Sequence, residues 1–333
     1  MSVTETTHRG RAAWLIESGL VGVIITRTGA HLASLFSLAD PARQSPLWDP
    51  HWPSGDPSAA AASGAWGTGE HAVEAPLLAS ICGSNLCADR FGAPHPGEER
   101  PLHGEAGVVT WERVAGVAAP AGGGAFTVAF TAHLPLAQLQ VTRAFTLAGS
   151  GVHIASTLED LRGEARDVEI CEHTTLGGAF LDSVSEGGAL DASVDEVGAE
   201  MAGGEAAAPP TVAKGDALRM PRPSEPPTGS VRTLRVAAEA AWWAASGGGW
   251  TLRASWKRAD FPFLCVWTEH RSRHHAPWAG RERTRGMEAS TKPFPEGRPP
   301  PSRADAFLGS PTRVTLPAGG RTTRSILLEW SRS

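Results

Sequence analysis

The chain has 333 residues, enough to bury a large core as one unit. Its 30 Lys and Arg against 35 Asp and Glu leave a formal charge of −5, which offers no attractive field to a nucleic-acid backbone or an anionic membrane. The first apolar run, Leu20 to Ile25, is too short and Gly-interrupted for a signal-peptide core or a membrane span, so the expectation is a soluble, cytoplasmic protein without nucleic-acid or membrane partners.

From the N-terminus, Trp14 to Glu17 and Val21 to Thr26 read as an opening β-hairpin, followed by a turn at Gly29-Ala30. Phe126 to Ala132, Leu139 to Leu147, Gly151 to Glu159 and Asp167 to His173 alternate apolar and polar residues between turn-forming segments, which predicts a four-stranded antiparallel meander. Ser230 to Ala237, Gly249 to Trp256, Phe263 to Thr268, Arg313 to Leu316 and Thr323 to Trp330 continue the strand pattern, while helical periodicity is almost absent. The expected class is all-β, a large antiparallel sandwich spanning 1–333 as a single domain. Three Ala-, Gly-, Pro- and Ser-rich stretches, Trp52 to Gly69, Gly198 to Gly229 and Lys292 to Ala304, read as loops.

Twelve Trp with no Tyr is an unusual aromatic content, and indole faces suit the C–H faces of sugars. The four cysteines, Cys82, Cys87, Cys171 and Cys265, follow no metal-ligand spacing and read as reduced, buried thiols.

Three short segments carry residues fit for proton transfer. His103, in Leu102-His103-Gly104-Glu105, sits beside a glycine that leaves room for a ligand. His173 stands where the strand Asp167 to Cys171 runs out, and strand alternation sends it and Glu172 to opposite faces. Glu288, among Gly286, Met287 and Ala289, has the apolar neighbours that raise a carboxyl pKa towards neutrality, although an exposed loop glutamate fits the same residues.

The order Gly29-Ala30, Arg90, Leu102-His103-Gly104, His173 with Gly177, Phe261-Pro262-Phe263 through Trp267, Pro277-Trp278 and Gly286-Met287-Glu288 resembles the aldose 1-epimerase (galactose mutarotase-like) superfamily along nearly the whole chain. The resemblance implies a β-supersandwich that interconverts the α and β anomers of a monosaccharide without a cofactor. By position it makes Glu288 the general base and His173 the general acid, with His103, Arg90, Glu105 and Trp267 on the substrate side. Arg90 departs from the pattern by not following Asn85 directly, Glu105 stands where many members have Gly, and Asp182 and Asp191 are both open as the aspartate that holds sugar hydroxyls.

Two other readings stay beside this one. The run His270-Arg271-Ser272-Arg273-His274-His275, with Arg281, Arg283 and Arg285, has guanidinium forks that suit a sugar phosphate, as in the hexose-6-phosphate epimerases of the same superfamily; a solvated loop is the plainer account, and no metal site is expected there. The second is a carbohydrate-binding protein without turnover. Either a monomer or a homodimer is compatible with the sequence.

Overall fold

The computed structural model describes residues 2–94, 97–115, 124–201, 209–295 and 306–333. Most of the expected loop Lys292 to Ala304, and residues 202–208 of the expected loop Gly198 to Gly229, lie outside the described residues; the rest of the latter is not all loop, since it holds the strand Thr211–Ala213 and the short helix Lys214–Leu218. Two large antiparallel sheets dominate, one of twelve strands and one of eight. In the larger, Ser84–Asp89, Arg166–Leu176, Arg283–Ser290, Phe263–His270 and Thr228–Arg235 lie side by side in that order near the middle. The opening hairpin is present, Arg11–Ser18 pairing antiparallel with Val21–Thr26.

Apolar residues of both sheets form one continuous core, with Val128, Phe145 and Ile154 of the smaller sheet meeting Ile16, Leu86, Ile170 and Met287 of the larger. The strand Leu139–Ala148 alternates buried and half-buried residues, as a strand with one face on a core should. Arg166–Leu176 does not alternate and is buried on both faces over its second half. It therefore leaves the meander: Phe126–Leu134, Leu139–Ala148 and Gly151–Asp160 are consecutive neighbours in the eight-stranded sheet, whereas Arg166–Leu176 crosses to the centre of the other sheet. The expected four-stranded meander thus has three strands.

Glu172 marks which face is which. It points between the sheets, where its carboxylate accepts from Arg143 Nη2 at 2.7 Å and from the Ser156 hydroxyl at 2.7 Å, all three residues fully buried. Neighbouring side chains on a strand point to opposite faces, so His173 faces outwards from the sandwich. That outer face is covered by connecting segments rich in tryptophan, where Trp48, Trp52, Leu77, Leu78, Ile81 and Trp278 form a second apolar cluster. Short helices do occur in these connections. In the expected loop Trp52 to Gly69 the helix Pro57–Ser63 starts at Asp56, whose side chain accepts from Ser58 N–H at 3.0 Å, and ends at Gly64. No helix among the described residues is long and apolar enough to cross a membrane.

Candidate active site

The pairing register assembles the site. His173 lies directly opposite Glu288 on one neighbouring strand and Asn85 on the other, and Glu288 lies opposite Cys265. Residues directly opposite in an antiparallel pair share a face, with Cβ atoms about 4.5–5.5 Å apart. Asn85, His173, Glu288 and Cys265 therefore form one row across four strands on the outer face of the sheet. The next row on that face, two residues along, is Thr175, Gly286 and Trp267. Gly286 leaves a gap in the floor into which the Glu288 carboxylate leans; a methyl at that position would overlap Glu288 Oε1 and stand 3.1 Å from Trp267 Cβ.

His173 Nε2 is 3.1 Å from Glu288 Oε1, and His173 Nδ1 is 3.1 Å from the Thr175 hydroxyl. His103 enters from a loop, its ring centroid 5.3 Å from that of His173. The backbone at His103 is left-handed (φ 63°), a conformation uncommon for a residue other than glycine. Gly104 follows with φ 77°, its α-carbon pressed so close to Ala88 O that no side chain fits. The Gly92 N–H donates to His103 Nδ1 at 3.0 Å, which places the ring's own proton on Nε2 as a free donor.

These groups line a cavity of about 170 Å³ whose walls include His103, His173, Trp267, Arg273, Trp278 and Glu288. Burial pushes Glu288 up to about 8 and His173 down to about 4, and holds His103 well below the usual imidazole range. Both shifts in the Glu288–His173 pair favour uncharged groups, so at neutral pH the pair carries one proton, and burial places it on the carboxyl. Arg273, set 4.7 Å above the Trp278 ring and 5.3 Å above Trp267, is a positive group facing the pair and works against the burial of the Glu288 anion.

Of the residues singled out in the sequence, His103, His173, Glu288 and Trp267 come together. Glu288 is on the strand Arg283–Ser290 rather than on a loop, and His173 is well inside its strand rather than at the end. Arg90 and Glu105 do not join them. Arg90 forms an ion pair with Glu98 and donates to the Asp89 carbonyl at 2.7 Å. Glu105 is buried and accepts from the backbone N–H of Leu136 (3.1 Å) and Ala137 (2.6 Å), pinning a turn of the smaller sheet. Asp182 pairs with Arg283, and Asp191 lies 2.9 Å from Lys214 Nζ; neither lines the cavity. Arg273 and Trp278 had weaker signals, the first hidden in an Arg/His run that reads as solvated, the second part of the resemblance with Pro277 but given no role there.

No family model matches the chain, and no curated protein sequence matches it significantly. Solved structures do. A galactose mutarotase-like protein from Clostridium acetobutylicum superposes with a TM-score of 0.65 over 100% of this chain and 99% of its own, at 10% identity. A Klebsiella pneumoniae protein provisionally named an aldose 1-epimerase gives 0.67 over 98% and 82%, at 13% identity. A galactose mutarotase related enzyme from Lactobacillus acidophilus gives 0.59 over 96% and 97%, at 12% identity. Identities this low speak for the architecture alone, and on that ground the chain has the galactose mutarotase-like fold.

Proposed function

We propose that the protein is a mutarotase of the aldose 1-epimerase type, interconverting the α and β anomers of a monosaccharide in the cavity above Glu288 and His173. The observation that carries this reading is the 3.1 Å contact between His173 Nε2 and Glu288 Oε1 on the floor of that cavity, beside the donor His103. A volume of about 170 Å³ suits one sugar ring, well below the ~300–1,000 Å³ of pockets for drug-sized ligands. Trp267, part-buried at the cavity wall, supplies apolar surface for the ring's C–H groups.

Ring opening of a hemiacetal needs one base and one acid. The base takes the O1 proton as the C1–O5 bond breaks, the acid protonates O5, rotation about C1–C2 presents the other face of the carbonyl, and the reverse transfers close the ring. The pair's single proton satisfies this balance. Glu288 is the base and His173 the acid in the roles implied by the resemblance, with His103 Nε2–H donating to a sugar oxygen. Those roles require the proton on His173; sugar hydroxyls donating to the carboxylate draw it there, whereas the Arg273 charge disfavours a proton on either group. The reversed roles, His173 taking the O1 proton and Glu288 delivering one to O5, are favoured by the burial that protonates Glu288 in the empty cavity. A sugar-bound crystal structure separates the two by which side chain lies nearest O1.

Glu288→Gln and His173→Ala are each expected to slow anomer exchange by about 10²–10⁴-fold, the usual worth of one acid or base, with sugar binding retained. Polarimetry and NMR exchange on freshly dissolved sugars measure this, and unchanged rates in both variants reject the assignment. Arg273 at the cavity wall favours a second reading, in which the substrate carries an anionic group such as phosphate. A panel of free and phosphorylated aldoses decides between them.

A further inference from the structure

Beside the cavity, two segments far apart in the chain meet. The short helical turn Gly69–Val73 brings His71, Glu74 follows it directly, and the loop after Phe263–His270 brings His275. His71 Nδ1 lies 3.6 Å from Glu74 Oε1, and His275 Nε2 lies 3.7 Å from Glu74 Oε2. One donor atom from each of the three residues falls within 4.8 Å of the other two.

These separations are too long for hydrogen bonds. They are close to the ~3.3 Å edge of a tetrahedron built on metal bonds of about 2.0–2.1 Å. Glu74 Oε2 and His275 Nε2 are also buried at the atom and have no hydrogen-bond partner, although buried polar atoms are seldom left unsatisfied. Both groups are still reached by solvent through the rest of their side chains, which gives an ion a route in.

We propose that His71, Glu74 and His275 bind one divalent transition-metal ion of the zinc class. Two imidazoles and a carboxylate are a borderline-soft donor set, suited to zinc, cobalt and nickel rather than to calcium or magnesium. The two imidazoles stack with centroids 3.6 Å apart and planes 1° from parallel. Parallel rings cannot both aim an in-plane lone pair at one ion, so binding turns one ring out of the stack; His71 is the more exposed of the two. Arg273 Nη1, 3.8 Å from Glu74 Oε2, holds part of the same carboxylate field and is the cation the ion has to displace. Glu74 and Arg273 both line the cavity, so the ion ties together two segments of its wall and moves a guanidinium that faces the Glu288–His173 pair. The ion is a staple at the site's edge and takes no part in the proton transfers.

Full-length protein stripped with EDTA and titrated with cobalt(II) is expected to bind one equivalent, with visible absorption bands of a low-symmetry site and competition by zinc. His275→Gln and His71→Gln are each expected to weaken binding by at least about tenfold, the lower end of what even an outer-shell change does to such sites, and to lose the bands. Circular dichroism and the thermal midpoint in EDTA establish that each variant is folded, and either variant alone suffices. Absence of saturable binding to the unmodified protein overturns the proposal, as does binding that neither substitution alters. No sugar is present in the assay, so its outcome is independent of the proposed turnover.

Discussion

At Gly286 the absence of a side chain is a requirement of the neighbouring carboxylate, because Glu288 Oε1 occupies the space a methyl would fill. Gly286→Ala keeps every acid and base yet displaces Glu288 from its contact with His173. Loss of alignment at a reacting centre is worth about 10²-fold, so anomer exchange should fall by that order while the thermal midpoint moves little; polarimetry and calorimetry on the same sample measure both. The two sequence candidates that do not line the cavity carry the opposite expectation. Arg90→Ala breaks a pair with Glu98 outside the cavity and should leave the rate and KM of exchange unchanged. Glu105→Ala strands the buried N–H of Ala137, at about 1–3 kcal/mol, and frees the part-buried N–H of Leu136, so it should destabilise the fold without changing sugar affinity.

One strand, Arg166–Leu176, holds the two halves of the molecule's polar chemistry on its two faces. His173 serves the cavity, and Glu172 is buried between the sheets against Arg143 and Ser156. Removing one partner of such a pair leaves an uncompensated charge, so Glu172→Ala should cost about 3–5 kcal/mol in denaturant unfolding, whereas His173→Ala should cost far less. The alternation that separates these two residues was legible in the sequence. Its place in the sheet was not, because an interior strand buried on both faces has no exposed side to mark it. The same blindness hid Arg283–Ser290, whose Arg-Gly-Met-Glu run has neither alternation nor β-branched residues beyond Thr284. Glu288 was legible as a carboxyl among small neighbours, but its burial comes from strands on either side that are distant in sequence. Arg273 was missed for a related reason: a loop arginine is drawn to the cavity by Trp267 and Trp278, and their stacking depends on the fold.

For the molecule as a whole, the buried neutral groups set how stability changes with pH. His31 is lowered by burial to about 3 and His173 to about 4, so as pH falls below the ordinary 6.5 the unfolded chain takes up protons that the folded one refuses, and stability is lost. Glu288 acts in the other direction. Raised from 4.5 to about 8, it stays protonated in the folded state after it has ionised in the unfolded one, so its effect lowers stability as pH rises through that interval. Below pH 6.5 the histidine effects oppose those of Glu288 and of Glu172, whose carboxyl burial also raises; above 6.5 the histidines drop out and Glu288 dominates the slope. The buried thiols, pushed above their usual 9.0, enter only at higher pH. Stability should therefore peak near pH 6.5 and decline by up to about 2 kcal/mol towards pH 8. Glu288→Gln, which keeps the shape and cannot ionise, should flatten that alkaline limb and leave the acid limb in place. Urea titrations of both proteins at pH 6.5 and pH 8 measure it, and an alkaline limb of equal slope in the variant shows that another group is responsible. The same two pKa values bound turnover, because exchange needs one proton on the pair. The rate should be level between about pH 5 and 7, then fall below about 4, where both groups are protonated, and above about 8, where neither is.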